Sequence, residues 1–274
     1  MFDFGLAGMR GDGEKEPMNT MGFLDHLEEL RKRLVNSIIA VVIGLGICWW
    51  KVEKIYDFMQ RPIMKVLAAH HLPDKLVYLN PTEPFSLYMK IAALGGLFLT
   101  SPYVMYQVWL FIAPGLYRNE KRYVFPFMFS TITLFLLGGY FGYSVAYPRA
   151  LDVLIGSFGR QFQPMITIGE YTQLFLTVIL GMGLIFEMPV IVFFLAFLGV
   201  LSPRFMLQNF RYAILLIFIV AAIVAPPDLV SMVVFAAPMV ALYGISVGVA
   251  WLVHPERRKA RLEKKEAKKA KQAQ

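Results

Sequence analysis

The chain carries one cysteine, Cys48, in 274 residues, so no internal disulfide braces the fold. Charge is also scarce, at 17% of residues against 57% hydrophobic. Histidine occurs four times, as His26, the adjacent pair His70 and His71, and His254. None stands at metal-ligand spacing from a cysteine or a carboxylate, which excludes a zinc site built on local sequence. No glycine loop ends in Lys-Ser or Lys-Thr, so a phosphate cradle is missing. Serine, histidine and aspartate do not cluster as a nucleophilic triad would require. The sequence therefore predicts no enzyme, no metal and no cofactor.

What is present is long apolar segments. Uncharged runs cover 34–50, 91–117, 123–148, 171–186 with 188–203, 212–227 and 229–253. Most approach the ~20 residues that cross a ~30 Å hydrocarbon core, and a soluble domain would interrupt them with polar faces. The expectation is an all-α membrane protein with six transmembrane helices, at about 34–50, 86–113, 123–147, 171–199, 211–226 and 229–252. This membrane domain covers 20–253, between a flexible leader (1–19) and a basic tail (254–274).

The net charge of +8 gives no argument for nucleic acid, because nine of the 27 Lys and Arg residues fall between Arg257 and Lys271. Such a tail suits a cytoplasmic surface facing anionic headgroups and the bilayer. On a six-span plan, the side holding both termini carries 19 Lys and Arg residues and the other side eight. The positive-inside bias then puts both termini in the cytoplasm. The first external loop departs from that bias, with six cations between Lys51 and Lys90.

Asp25-His-Leu-Glu28 has the spacing of a capping box. In the helix it would open, Leu27, Leu30 and Leu34 share one face, with Glu28 and Glu29 roughly opposite. Ile55, Phe58, Pro62, Ile63 and Val66 predict a short amphipathic helix at the membrane surface, broken near Pro62. Thr82-Glu-Pro-Phe reads as a helix start. Inside that helix Pro102 frees the carbonyl of Phe98 and predicts a kink, as Pro238 does in the last span. The fifth span is short, ~21 Å for the 14 residues from Tyr212 to Ala225. The Pro226-Pro227-Asp228 turn follows, and Asp228 is placed to cap the next helix; the hairpin of fifth and sixth spans is expected to be short. Gly138-x-x-x-Gly142 and Gly244-x-x-x-Gly248 predict close helix packing.

Four carboxylates stand out. Glu187 is alone in an uncharged stretch, where an ionised group costs roughly 2.5–3.5 kcal/mol on insertion scales. Such a residue is functional by default: protonated, bonded to a partner helix, facing a wet cavity, or serving as the relay of an ion- or proton-coupled carrier. Glu28, Glu29 and Glu120 lie at the basic roots of the first and third spans. Glu28 with Lys32, and Glu29 with Arg33, could be ordinary i,i+4 pairs. If the roots meet in space, two carboxylates would instead make a site for guanidinium groups.

Four motifs occur in one order across 20–253: His26-Leu-Glu-Glu-Leu-Arg-Lys-Arg-Leu34, the run from Ser101-Pro-Tyr-Val to Arg118-Asn-Glu-Lys-Arg122, Phe186-Glu-Met-Pro189, and Ala225-Pro-Pro-Asp228. Together they resemble the TatC family, the large subunit of the twin-arginine protein translocase. The resemblance implies a glove-like, concave six-span receptor of the bacterial inner membrane with both termini cytoplasmic. It implies no catalysis, but binding of the Arg-Arg signal peptides of folded cargo, driven by the proton-motive force. Glu29 and Glu120 match the family's arginine-reading acids, and Arg31 and Phe111 match motif positions near them. Pro62 matches a position in the first external loop. Glu187 matches the acid where single-span TatA- and TatB-type partners dock, and association with further TatC copies is expected.

Overall fold

A computed structural model of the protein describes residues 23–72, 76–112, 124–158, 165–197, 199–226 and 228–253. The expected leader and basic tail lie outside them. Every regular element among the described residues is helical, and a single parallel bridge joins Val77 to Thr167. The elements are α1 (Phe23–Trp49), α2 (Val52–Ala69), α3 (Glu83–Ile112) and α4 (Val124–Phe141). A π-helical turn (Gly142–Ala146) leads into α5 (Tyr147–Val153), and a second follows at Leu154–Phe158. Then come α6 (Ile168–Ile185), α7 (Met188–Phe197), α8 (Pro203–Gln208), α9 (Phe210–Val224) and α10 (Leu229–Val253).

Five segments are long and apolar enough to cross a membrane: Asp25–Trp49, Glu83–Ile112, Phe125–Gly156, Ile168–Phe197 and Leu229–Trp251. The sixth apolar helix, α9, has 15 residues, about 22 Å at 1.5 Å per residue. A side chain at Gly181 would stand 2.6 Å from Val224 Cγ1, so the tip of the α9–α10 hairpin reaches only the middle of the Ile168–Phe197 segment. Shortness is confined to α9, contrary to the expectation for both spans. At 25 residues α10 measures about 37 Å.

The proline positions explain several local bonds. Pro102 has no N–H to offer Phe98, and Ser101 Oγ donates to that carbonyl instead, at 2.8 Å. Pro62 was expected to break its helix, yet α2 runs unbroken through it for 18 residues. An interior proline orphans the carbonyl four residues back, here that of Phe58, and Tyr143 Oη donates to it at 2.8 Å. Tyr171 Oη donates to the neighbouring carbonyl of Met59, also at 2.8 Å. Two hydroxyls, from α6 and the π-helical turn, thus occupy carbonyls beside Pro62 and hold α2 against the bundle. The apolar face of α2 (Met59, Ile63, Val66, Leu67) is buried among α3 and α5 rather than in the membrane surface.

Among the described residues three helix starts carry a side-chain cap. Thr167 and Ser202 accept from Glu170 N and Phe205 N at 3.3 and 3.1 Å. Asp228 Oδ1 accepts from Ser231 N at 2.6 Å, at the head of α10. The capping box expected at Asp25 is not one, because α1 already includes Phe23 and Asp25 sits inside its first turn.

Glycine brings helix backbone against helix backbone at two contacts. A Cβ on Gly96 would lie 2.5 Å from Leu45 N, so α1 and α3 touch backbone to backbone. At Gly138 it would meet the Met182 carbonyl at 2.5 Å, joining α4 to α6 as the Gly138–Gly142 spacing predicts. The second such pair fails: nothing lies within 4 Å of a Cβ at Gly244 or Gly248. Spacing selects a helix face, but whether another helix covers that face depends on the bundle.

Candidate functional site

Two carboxylates are withdrawn from solvent by different means. The first is Glu29, on the face of α1 that meets α3, with its side chain 14% exposed. Arg33, one turn later, donates from Nη2 to Glu29 Oε1 at 3.3 Å and from Nη1 to Gln107 Oε1 at 3.3 Å. A fork-to-fork guanidinium pair would occupy both carboxylate oxygens. Here Oε2 of Glu29 is buried without a partner, as is Nε of Arg33. Beside this cluster the His26 ring stacks on Phe111, with centroids 4.5 Å apart.

The end of α3 that presents Phe111 is fixed by Trp109, whose Nε1 donates to Thr131 Oγ1 of α4 at 3.1 Å. The same indole contacts Phe127 of α4 and Phe194 of α7. Glu29 and Phe111 are thereby brought to one end of the α1–α3 pair. Arg31 is exposed on the far flank of α1 and does not join them. Glu28 and Lys32 are both exposed and form no pair, whereas Glu29–Arg33 does form. Glu120 lies outside the described residues. Arg33 and His26 stand within the first motif but were not singled out as site residues. Gln107 was missed as well; its signal was a lone amide inside the uncharged run 91–117.

The second carboxylate, Glu187, sits at a break. Helix α6 ends at Ile185 and α7 begins at Met188, with Pro189 in its first turn. Proline is tolerated there because first-turn N–H groups have no intrahelical partner. The Glu187 carbonyl accepts from Val190 N and Ile191 N at 3.0 Å each, opening α7. Its side chain is 7% exposed, and Oε1 is buried with no hydrogen-bond partner. A buried acceptor left unbonded costs about 1–3 kcal/mol. Pro62 is buried inside α2, and Pro226 is buried in the turn beside Asp228.

The family model of the Sec-independent protein translocase protein (TatC) matches residues 25–238. The chain belongs to the TatC family. A TatC from Koribacter versatilis is 61% identical over 254 residues, covering 92% of this chain and 93% of that one. A TatC from Desulforapulum autotrophicum is 36% identical over 239 residues, 87% and 86% of the two chains. A crystallised twin arginine translocase receptor, TatC, superposes with a TM-score of 0.74 at 35% identity, covering 83% of this chain and 99% of that one. This member of the family is accordingly an all-helical membrane protein and a component of the twin-arginine translocase, a transport role and not an enzymatic one.

Proposed function

We propose that this chain is the receptor of the translocase for Arg-Arg signal peptides of folded cargo, reading them at Glu29 with Glu120. The observation that carries this reading is the half-used carboxylate of Glu29. Its Oε1 has only a long bond to Arg33 and its Oε2 has none, so a guanidinium entering from outside finds an acceptor already desolvated. Phe111 offers apolar surface beside it, while Arg31, on the far flank of α1, would meet the peptide outside the arginine pocket. Glu120 belongs to the connection that follows α3. Under this reading both termini are cytoplasmic and the membrane is the bacterial inner membrane. Pro62, Pro226 and Asp228 hold the outer architecture.

Glu187 is then the docking point for single-span TatA- and TatB-type partners, whose polar side chain would satisfy Oε1. Recruitment of these subunits, and association with other TatC copies, build the complex driven by the proton-motive force. An ion-coupled carrier using Glu187 is less well supported, because family membership assigns the chain to protein translocation.

A photoreactive signal peptide tests the receptor role. With the probe beside its Arg-Arg pair, labelling should fall near Glu29 and Glu120 and drop when both arginines become lysines. Equal labelling by both peptides overturns the reading.

A further inference from the structure

The six cations between Lys51 and Lys90 break the charge bias of the molecule, and the receptor role gives them no task. The fold shows how α2 presents them. With its apolar face buried against α3 and α5, the helix turns Lys54, Phe58, Arg61 and Lys65 outward, all exposed. At 100° per residue these four, with Lys51, fall within an arc of about 80°. The two acids of the helix, Glu53 and Asp57, lie at one edge of the same exposed half, about 80° and 40° from Arg61, and Asp57 is engaged by Gln60 Nε2 at 3.3 Å. Among the described residues none of the stripe's cations forms an ion pair.

The stripe also has a definite neighbour. Arg61 Cζ lies over the Phe58 ring at 5.7 Å, and that ring stacks on Tyr143 at 4.4 Å. Tyr143 continues from the end of α4, where Leu136, Leu137 and Tyr140 are exposed. On a membrane-spanning helix those side chains face acyl chains, so the cations stand at the level where headgroups begin. Trp49 and Trp50, exposed at the α1–α2 turn, mark the same level as interfacial residues do.

We propose that Lys54, Arg61 and Lys65 of α2 form a binding stripe for anionic phospholipid in the leaflet on the α2 side. The lipid phosphate meets the cations while its acyl chains lie along the exposed end of α4. The match is one of charge: unpaired cations in a row beside a lipid-facing surface. The occupant is therefore phosphatidylglycerol or cardiolipin rather than a zwitterionic lipid. This inference does not depend on signal-peptide reading. The orientation of the chain decides only which leaflet supplies the lipid.

The test is lipid retention by the full chain, purified in neutral detergent and titrated with phosphatidylglycerol or phosphatidylcholine, with bound lipid counted by native mass spectrometry. A cation near an anionic surface is worth about a fivefold change in partition. The Lys54→Gln/Arg61→Gln/Lys65→Gln variant should therefore bind phosphatidylglycerol at least about tenfold more weakly. The charge-keeping variant Lys54→Arg/Arg61→Lys/Lys65→Arg should retain wild-type binding. Should the triple glutamine variant not stay monodisperse, Lys65→Gln alone carries the test with an expected loss of about fivefold. A phosphatidylglycerol with a photoreactive headgroup should label peptides of α2 in the wild type. Equal retention of the two lipids, unchanged phosphatidylglycerol binding in the glutamine variants, or labelling confined to other basic segments would each overturn the proposal.

Discussion

Glu29 and Glu187 are the same side chain in two settings, and the contrast separates two ways of keeping a carboxylate out of water. Glu29 has a cation one turn away on its own helix and an amide across the α1–α3 contact. Glu187 sits at a helix break inside an uncharged stretch, with Oε1 bonded to nothing. The first is nearly self-sufficient and open to exchange, since its bonds are long and one oxygen is spare. The second has Oε1 buried without a partner. Under the proposed reading, a ligand arginine would compete with a partner the protein already has, while a docking helix would supply one it lacks.

The contrast can be tested by substitution, beginning with the largest effect. Glu29→Ala should lower binding of an Arg-Arg signal peptide by about 10- to 100-fold, since hydrogen bonds to charged groups contribute about 1.5–3 kcal/mol. Titration of a fluorescent peptide against its Lys-Lys counterpart measures this, and a preference for arginine that survives would remove Glu29 from the recognition model. Glu187→Ala should reduce co-purification of the single-span subunits by about tenfold with peptide binding unchanged. Glu187→Gln should fall between the two, because it keeps an acceptor but no charge. Undiminished co-purification in Glu187→Ala would mean that the orphaned oxygen is not a docking group.

Arg33→Gln makes Glu29 resemble Glu187 by removing its local cation. The pair is largely buried, with Glu29 14% and Arg33 25% exposed, so leaving the carboxylate without its cation should lower stability by about 1–3 kcal/mol, read as a drop in melting temperature. Peptide affinity should rise severalfold as the competitor disappears, and a fall in affinity would assign Arg33 to holding Glu29 in position. Glu28→Ala should have the smallest effect, under about twofold on either binding measurement. The carboxylate is exposed and unpaired, and a larger loss would place it in the recognition site.

Much of this was legible because prolines and charges act locally. The start of α3 at Glu83, the freed carbonyl of Phe98, the shortness of α9 and the Gly138–Gly142 contact all follow from short-range rules. The errors lie where an unseen neighbour decided the outcome. The break expected at Pro62 is absent because Tyr143 and Tyr171, 81 and 109 positions away in the sequence, supply the missing donors. Gly244 and Gly248 have the right spacing, but among the described residues no helix arrives to meet them. Gln107 gave little warning, since one amide in an apolar run says nothing of its bonds until Arg33 is placed beside it.

By itself the sequence determined the apolar helices, the carbonyl freed by Pro102 and the family, because hydrocarbon admits only long apolar helices and proline changes backbone bonding wherever it stands. It also separated α1 into a leucine face and a glutamate face. Which face turned inward was decided only by the tertiary structure. Leu27, Leu30 and Leu34 point out and Glu29 and Arg33 point toward α3. In water the leucines would be driven inward. For a helix that continues into lipid, exposed leucine carries no penalty, and the polar groups must find their partners within the protein.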